Sequence, residues 1–277
     1  MQITIKHLLA VLVGVALAFL MPMDVEISKK RNPKRGKAGA ATVRVGGNWA
    51  KIRYLREHLQ NAIQIAPVAA GGGFMEEPNV RVGKRDEVAG ILRTDFDAAF
   101  RAMGAKDDAT VAGMAQAFAE RLPAIYDPAE NMIHVIPENA VEAAARADDE
   151  SLLDDGVLKL LLVRMAVIAL DRQLYPEWKE ALDAAKDRDA LNAAMAILQG
   201  HAQYATERVV TAAHAQEWKN LKPDFDKLVA LLIAEGPPHP LKDGMDADIK
   251  FAILKGHAYM KLLAKKKGQG GVQRNMK

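Results

Sequence analysis

Apolar residues recur at helical spacing along most of the chain. Ile52, Leu55, Leu59 and Ile63 share one face of a 3.6-residue repeat, and Asn48 is a good N-cap, so a helix is expected from there. The stretch 66–80 holds three glycines and reads as a loop. Its glycines are not a phosphate cradle, because no Gly-Lys-Ser/Thr follows. Residues 81–104 read as a helix ended by Gly104, and the run beginning at 108 as another that stops near Pro123. Alternation replaces the helical rhythm at 132–136, where Met132, Ile133, His134, Val135 and Ile136 predict a short strand. Asp127, Pro128 and Asn131 supply turn chemistry before it. A helix is expected over 138–149.

From 157 to 170 only Lys159 and Arg164 interrupt the apolar residues. A helix apolar on nearly every face is buried, and this one is too short to cross a bilayer, so it is the predicted core helix. One or two helices should follow over 177–218, the later running about 189–213. A loop is expected over 235–246 and a last helix over 247–271, closed by glycines. No internal repeat is visible. The expected fold is mainly α (α+β), with a small sheet or a single edge strand beside the core helix.

The start of the chain changes the picture. Residues 8–21 are an unbroken apolar run after one lysine, ended by Pro22. The pattern is that of a secretory signal or an uncleaved membrane anchor at 1–23. A basic, Gly/Ala-rich flexible linker is expected over 24–46, followed by a single domain over 47–277. The basic run behind the apolar segment favours keeping the body in the cytoplasm. The signal-like start favours export to the periplasm or cell envelope.

Net charge is +3, but it is segregated. Residues 1–44 carry +6 and residues 261–277 another +6, which leaves −9 for 45–260. The body has no basic stripe interleaved with aromatics, so nucleic acid is not an expected partner. With no cysteine, disulfides, thiolate metal sites and a Cys nucleophile are excluded. Aromatic residues make up only 5%, so Ala, Leu, Val and Met must fill the core.

Candidate chemistry lies in two segments, LLVRMAVIALDRQLYP at 161–176 and ALNAAMAILQGHAQYATERV at 190–209. In order and spacing they resemble zinc metallopeptidases of the glutamate-ligand (HExxH…E) type. In that family the first helix reads L-V-H-E-L-x-H-A-L-x-D-Q and the second A-x-x-A-L-x-E-G-x-A. Ala169, Leu170, Gln173, Gly200 and Ala202 match. Residues 125–137 are similar to the family's strand before the active-site helix, and 253–272 to its later Gly-Gly segment. The likeness spans about 80–277. Taken alone, 157–173 fits a plain apolar core helix equally well.

The resemblance implies a zincin-like helical domain and identifies what has been lost. The two zinc-binding histidines would fall at Arg164 and Ile168, the glutamate base at Met165 and the third ligand at Gln199. Arg has no free lone pair, and Ile and Met offer nothing to a borderline divalent ion. The inherited site cannot hold zinc or activate water, and no cofactor is expected.

A guanidinium in the middle of a buried helix needs partners. Arg164 is therefore expected to face Gln199 and an acid, with Glu207 the candidate. His134, His201, His214 and His257 are scattered and read as core or surface residues. The expected function is an inactive metallopeptidase-like protein that binds a protein or peptide, with Met132–Ile136 as a substrate-like pairing edge. Two alternatives stay open: a structural subunit of an envelope or membrane assembly, and a metallopeptidase with non-standard ligands.

Overall fold

A computed structural model describes residues 47–211, 216–240 and 242–276 of the 277-residue chain. The expected signal or anchor at 1–23 and the linker at 24–46 lie outside the described residues. No helix among the described residues is long and apolar enough to cross a membrane.

The fold is mainly helical with one small sheet, as the hydrophobic pattern requires. Helix α1 spans Ile52–Ala70. Asn48 is not its cap: Lys51 holds that place without a side-chain bond, and Asn48 Nδ2 donates to Asp155 Oδ1 at 2.9 Å instead. The helix also continues through Pro67, where a loop was expected. Ala66, Ala69 and Ala70 are buried there, and packing outweighs the hydrogen bond that Pro67 cannot make. Gly71, at φ 86°, ends it.

The expected helix over 81–104 is three elements. Its first residues belong to strand β1, Asn79–Val82, followed by α2, Arg85–Asp95, and α3, Asp97–Ala102. Helix α4, Asp108–Ala119, is capped by Asp107, whose carboxylate accepts from Thr110 N–H at 2.7 Å. It ends four residues before Pro123, which leaves room for strand β2, Ala124–Asp127. Strand β3, Met132–Val135, forms where alternation predicts it. Helix α5, Pro137–Ala147, follows with Pro137 at its first turn, so Ile136 is its cap and no longer sheet.

Sheet order is β1-β3-β2, with β1 parallel and β2 antiparallel to β3. This corrects the expected edge role of Met132–Ile136. Asn79 and Gly83 N–H groups donate to the Asn131 and Val135 carbonyls, and Ile136 N–H donates to the Pro123 carbonyl. Odd-numbered residues of β3 therefore pair with β1 and even-numbered ones with β2. The strand is central and spends its backbone on both neighbours.

Core helix α6, Asp155–Leu174, lies under the sheet. Its Leu158, Leu160, Leu161, Leu162 and Leu170 are fully buried, each stabilising by roughly 2 kcal/mol. Helix α7 is Glu177–Asp183, and α8, Arg188–Thr211, packs along α6. Helices α9, Gln216–Lys219, and α10, Lys222–Ile233, follow. Helix α10 had no counterpart in the sequence pattern as read. Its Phe225, Leu228, Leu231 and Leu232 are buried at helical spacing.

Helix α11, Lys242–Lys250, begins inside the expected loop. A π-turn at Phe251–Lys255 joins it to α12, Gly256–Asn275. Gly268, at φ 66°, breaks α12, which then resumes instead of ending at its glycines. Helices α8 and α12 meet at two glycines. A Cβ at Gly200 would overlap the Gly256 backbone, and one at Gly256 would overlap the Ala196 carbonyl.

Candidate functional site

A cavity of about 180 Å³ opens between α6, α8, β2, the α2–α3 pair and the π-turn. The four positions singled out in the sequence converge on it. Arg164, Met165 and Ile168 reach it from α6, and Gln199 reaches it from α8. This convergence follows from spacing. Residues 164, 165 and 168 share a face of one helix, and the Gly200–Gly256 contact sets how closely α8 and α12 approach. Apolar side chains make up most of the remaining wall, among them Phe96, Phe100, Met195 and Leu198.

Arg164 is 4% exposed. Its Nη2 donates to Gln199 Oε1, and its Nε to Gln203 Oε1 at 3.3 Å. The expected contact with Gln199 is present, and the expected contact with Glu207 is not. Glu207 accepts from His257 Nε2 at 3.0 Å and from Lys261 Nζ at 2.8 Å. It lies one turn beyond Gln203 on α8, where α12 reaches it first. Arg164 makes no ion pair among the described residues. Burial lowers its pKa to about 10, so it still carries its charge at neutral pH.

The other charges on the wall are compensated. Arg172 holds Asp95 with two 3.0 Å hydrogen bonds, and Asp248 is held by Arg188 at 2.9 Å. Among the described residues no histidine lines the cavity. Its two carboxylates are both engaged by arginines, which leaves neither poised as a general base.

Strand β2 forms the remaining wall through Ala124, Ile125 and Tyr126. Pairing of Pro123 with Ile136 sets the alternation, so Ile125 and Asp127 bond to β3. The backbone groups of Ala124 and Tyr126 then point away from β3, with no backbone partner among the described residues. Tyr126 Oη donates to Asn131 Oδ1 at 2.9 Å, and burial raises its pKa. The free edge at the cavity is thus β2, one strand over from the expected one.

The turn at the end of β2 is held from the core helix. Gln173 Nε2 donates to the Glu76 carbonyl at 2.8 Å and to Asn131 Oδ1 at 3.2 Å. Asn139, fully buried, donates to the Ala119 and Leu122 carbonyls at 2.7 Å and so fixes the approach to β2.

His134 is buried at the outer side of the sheet, away from the cavity wall. It brings a ring nitrogen within 4.8 Å of Asp127 and Glu130 carboxylate oxygens, a spacing that suits a cation. Arg81 is already there, its Nη2 3.0 Å from Glu130 and 3.4 Å from the His134 ring. Burial, with Arg81 adding to it, lowers the His134 pKa.

His201 faces away from the cavity. Its Nδ1 meets Asp171 Oδ2 at 2.8 Å, with both residues 1% exposed. Burial raises the Asp171 pKa, against the pull of His201.

Sequence reasoning missed Gln203 and strand β2. Gln199 and Gln203 are one helical turn apart, so the pair was legible as a two-amide clasp. The turn chemistry of residues 126–131 masked a separate strand in the four residues between Pro123 and Pro128. No family model, curated protein or solved structure matches this chain.

Proposed function

We propose that this chain is a non-catalytic peptide-binding protein built on a metallopeptidase-like frame. One observation carries the reading. The positions where a zinc site would stand line a single apolar cavity, and beside it lies a sheet edge with unused backbone groups. Arg164, Met165, Ile168 and Gln199 offer neither a metal shell nor a base, while an apolar cavity lined by a strand with unused backbone groups is what the end of an extended peptide needs; β2 is buried along its length, so the peptide would reach it through the cavity. Main-chain bonds to Ala124 and Tyr126 would supply affinity, and the cavity would select one side chain. Export or membrane anchoring through 1–23 belongs to the same proposal and would place the binder in the cell envelope.

Hydrogen exchange with an extended apolar peptide tests it. The expected result is slowed exchange at the Ala124 and Tyr126 amides, with the peptide intact by mass spectrometry after prolonged incubation. The same peptide N-methylated at alternate residues should not protect them. Protection confined to β1, or cleavage of the peptide, would defeat the proposal.

A further inference from the structure

We infer that Arg164 is the receptor for a ligand carboxylate and that the ligand is a peptide ending, with a free carboxyl group, in a large apolar residue. The inference rests on the peptide-binding reading and names what the cavity recognises.

The first support is a charge imbalance. Arg164 is buried on the cavity wall, and its hydrogen-bond partners are two neutral carboxamide oxygens, Gln199 and Gln203. A guanidinium has five N–H donors in a planar fork suited to a carboxylate. Arg172 serves as an internal comparison. It also lines the cavity, but Asp95 already supplies the bidentate carboxylate that Arg164 lacks. Asp248 is likewise occupied by Arg188, so the wall presents one uncompensated positive charge. Amide oxygens orient a guanidinium without neutralising it, and in apolar surroundings an arriving anion is attracted strongly.

The second support is size. A cavity of about 180 Å³ accepts a single group the size of a benzene ring or a branched aliphatic side chain. Apolar side chains, among them Met165, Ile168 and Leu198, surround that space. A terminal Phe or Leu side chain fits it. The third support is direction. Strand β2 is buried and lines the same cavity as Arg164, with the Ala124 and Tyr126 backbone groups directed away from β3, so a chain end that enters the cavity meets both the strand and the charge. Selection of the last residue follows: its side chain enters the cavity and its carboxylate meets Arg164.

Binding of fluorescein-labelled apolar hexapeptides ending in Phe tests this on the full chain, comparing the free acid with the C-terminal amide by anisotropy. The free acid should bind about tenfold more tightly or better, the worth of a charged hydrogen bond away from water. Arg164→Met, with its fold checked by circular dichroism, should bind acid and amide equally. The small acid 3-phenylpropionate, which cannot use the strand edge, should compete at least tenfold more weakly than the peptide acid. Equal binding of acid and amide by the native chain would overturn the carboxylate assignment while leaving strand pairing in place. If neither peptide bound, the peptide reading would fall and this inference with it. If 3-phenylpropionate bound as tightly as the peptide, the ligand would not be a peptide end. The acid–amide comparison uses the native chain, so it decides the matter even if Arg164→Met does not fold.

Discussion

Two buried polar arrangements join the same pair of helices, and they are built oppositely. At one end, Asp171 of α6 meets His201 of α8, both 1% exposed, and the carboxyl group has a hydrogen-bonding partner. Two turns earlier on α6, Arg164 meets Gln199 and Gln203 of α8, and among the described residues no acid pairs with it. The first is sealed in the core. The second faces a cavity and a free strand edge. A protein tolerates a buried ion when it is paired. Where one is oriented but left unpaired, next to space that a ligand can enter, the missing partner is most economically supplied from outside.

Breaking the helix junction that carries both arrangements should have the largest effect. Gly200 lies between Gln199 and His201, and a Cβ there meets the Gly256 backbone, which has no flexible end to yield. Gly200→Ala should cost about 3–4 kcal/mol in urea unfolding, because two helices must separate. A loss below about 1 kcal/mol would mean that the junction does not set the geometry of either arrangement.

Next comes the contrast itself. Asp171→Ala strands His201 in the core and should cost roughly 3 kcal/mol, the range for breaking a buried pair. Arg164→Met removes a buried cation that no acid neutralises. It should stay within about 1 kcal/mol of the native chain, because the lost amide contacts are offset by relief of desolvation. Equal losses in the two variants would erase the distinction drawn between them.

A further effect concerns acid. Hydrogen bonds from His257 first, then Lys261, lower the Glu207 pKa from 4.5 to about 2. A carboxyl group with a depressed folded-state value adds stability that is present above its unfolded value and lost as pH falls from about 4.5 toward 2. Allowing for the side chain's 22% exposure, about 2 kcal/mol should disappear across that window, and Glu207→Gln should abolish the change. Arg164→Met should leave this acid limb untouched, since Glu207 serves α12. If that variant shifted it, Arg164 would not be the uncompensated charge described above.

Much of the helical frame was legible in the sequence because apolar periodicity reports which face is buried. The core helix shows this best: its run from 157 to 170 is apolar all round, and it became the most buried element. The strand at Met132–Val135 was visible through alternation, yet its neighbours were not. β1 and β2 are no shorter than β3, but they sit against Pro78 and between Pro123 and Pro128, where turn residues mask the pattern, and the β1 pairing is non-local. The Asn48 cap failed for the same reason, since Asp155, over a hundred positions away, took its side chain. Helix α10 was missed although Phe225, Leu228, Leu231 and Leu232 recur at helical spacing, so there the signal existed.

By itself, then, the sequence determined that the chain is mostly helical and that Arg164 sits, with Met165 and Ile168 near it, in the middle of a long apolar helix. These depend on residue type and local period. Only the tertiary structure decided that Arg164, Met165, Ile168 and Gln199 share one cavity, that Gln203 and not Glu207 completes the clasp, and that β2 supplies the free edge. Each of those depends on contacts between residues far apart along the chain, such as Gly200 against Gly256 between α8 and α12 and the pairing of β1, β3 and β2 in the sheet.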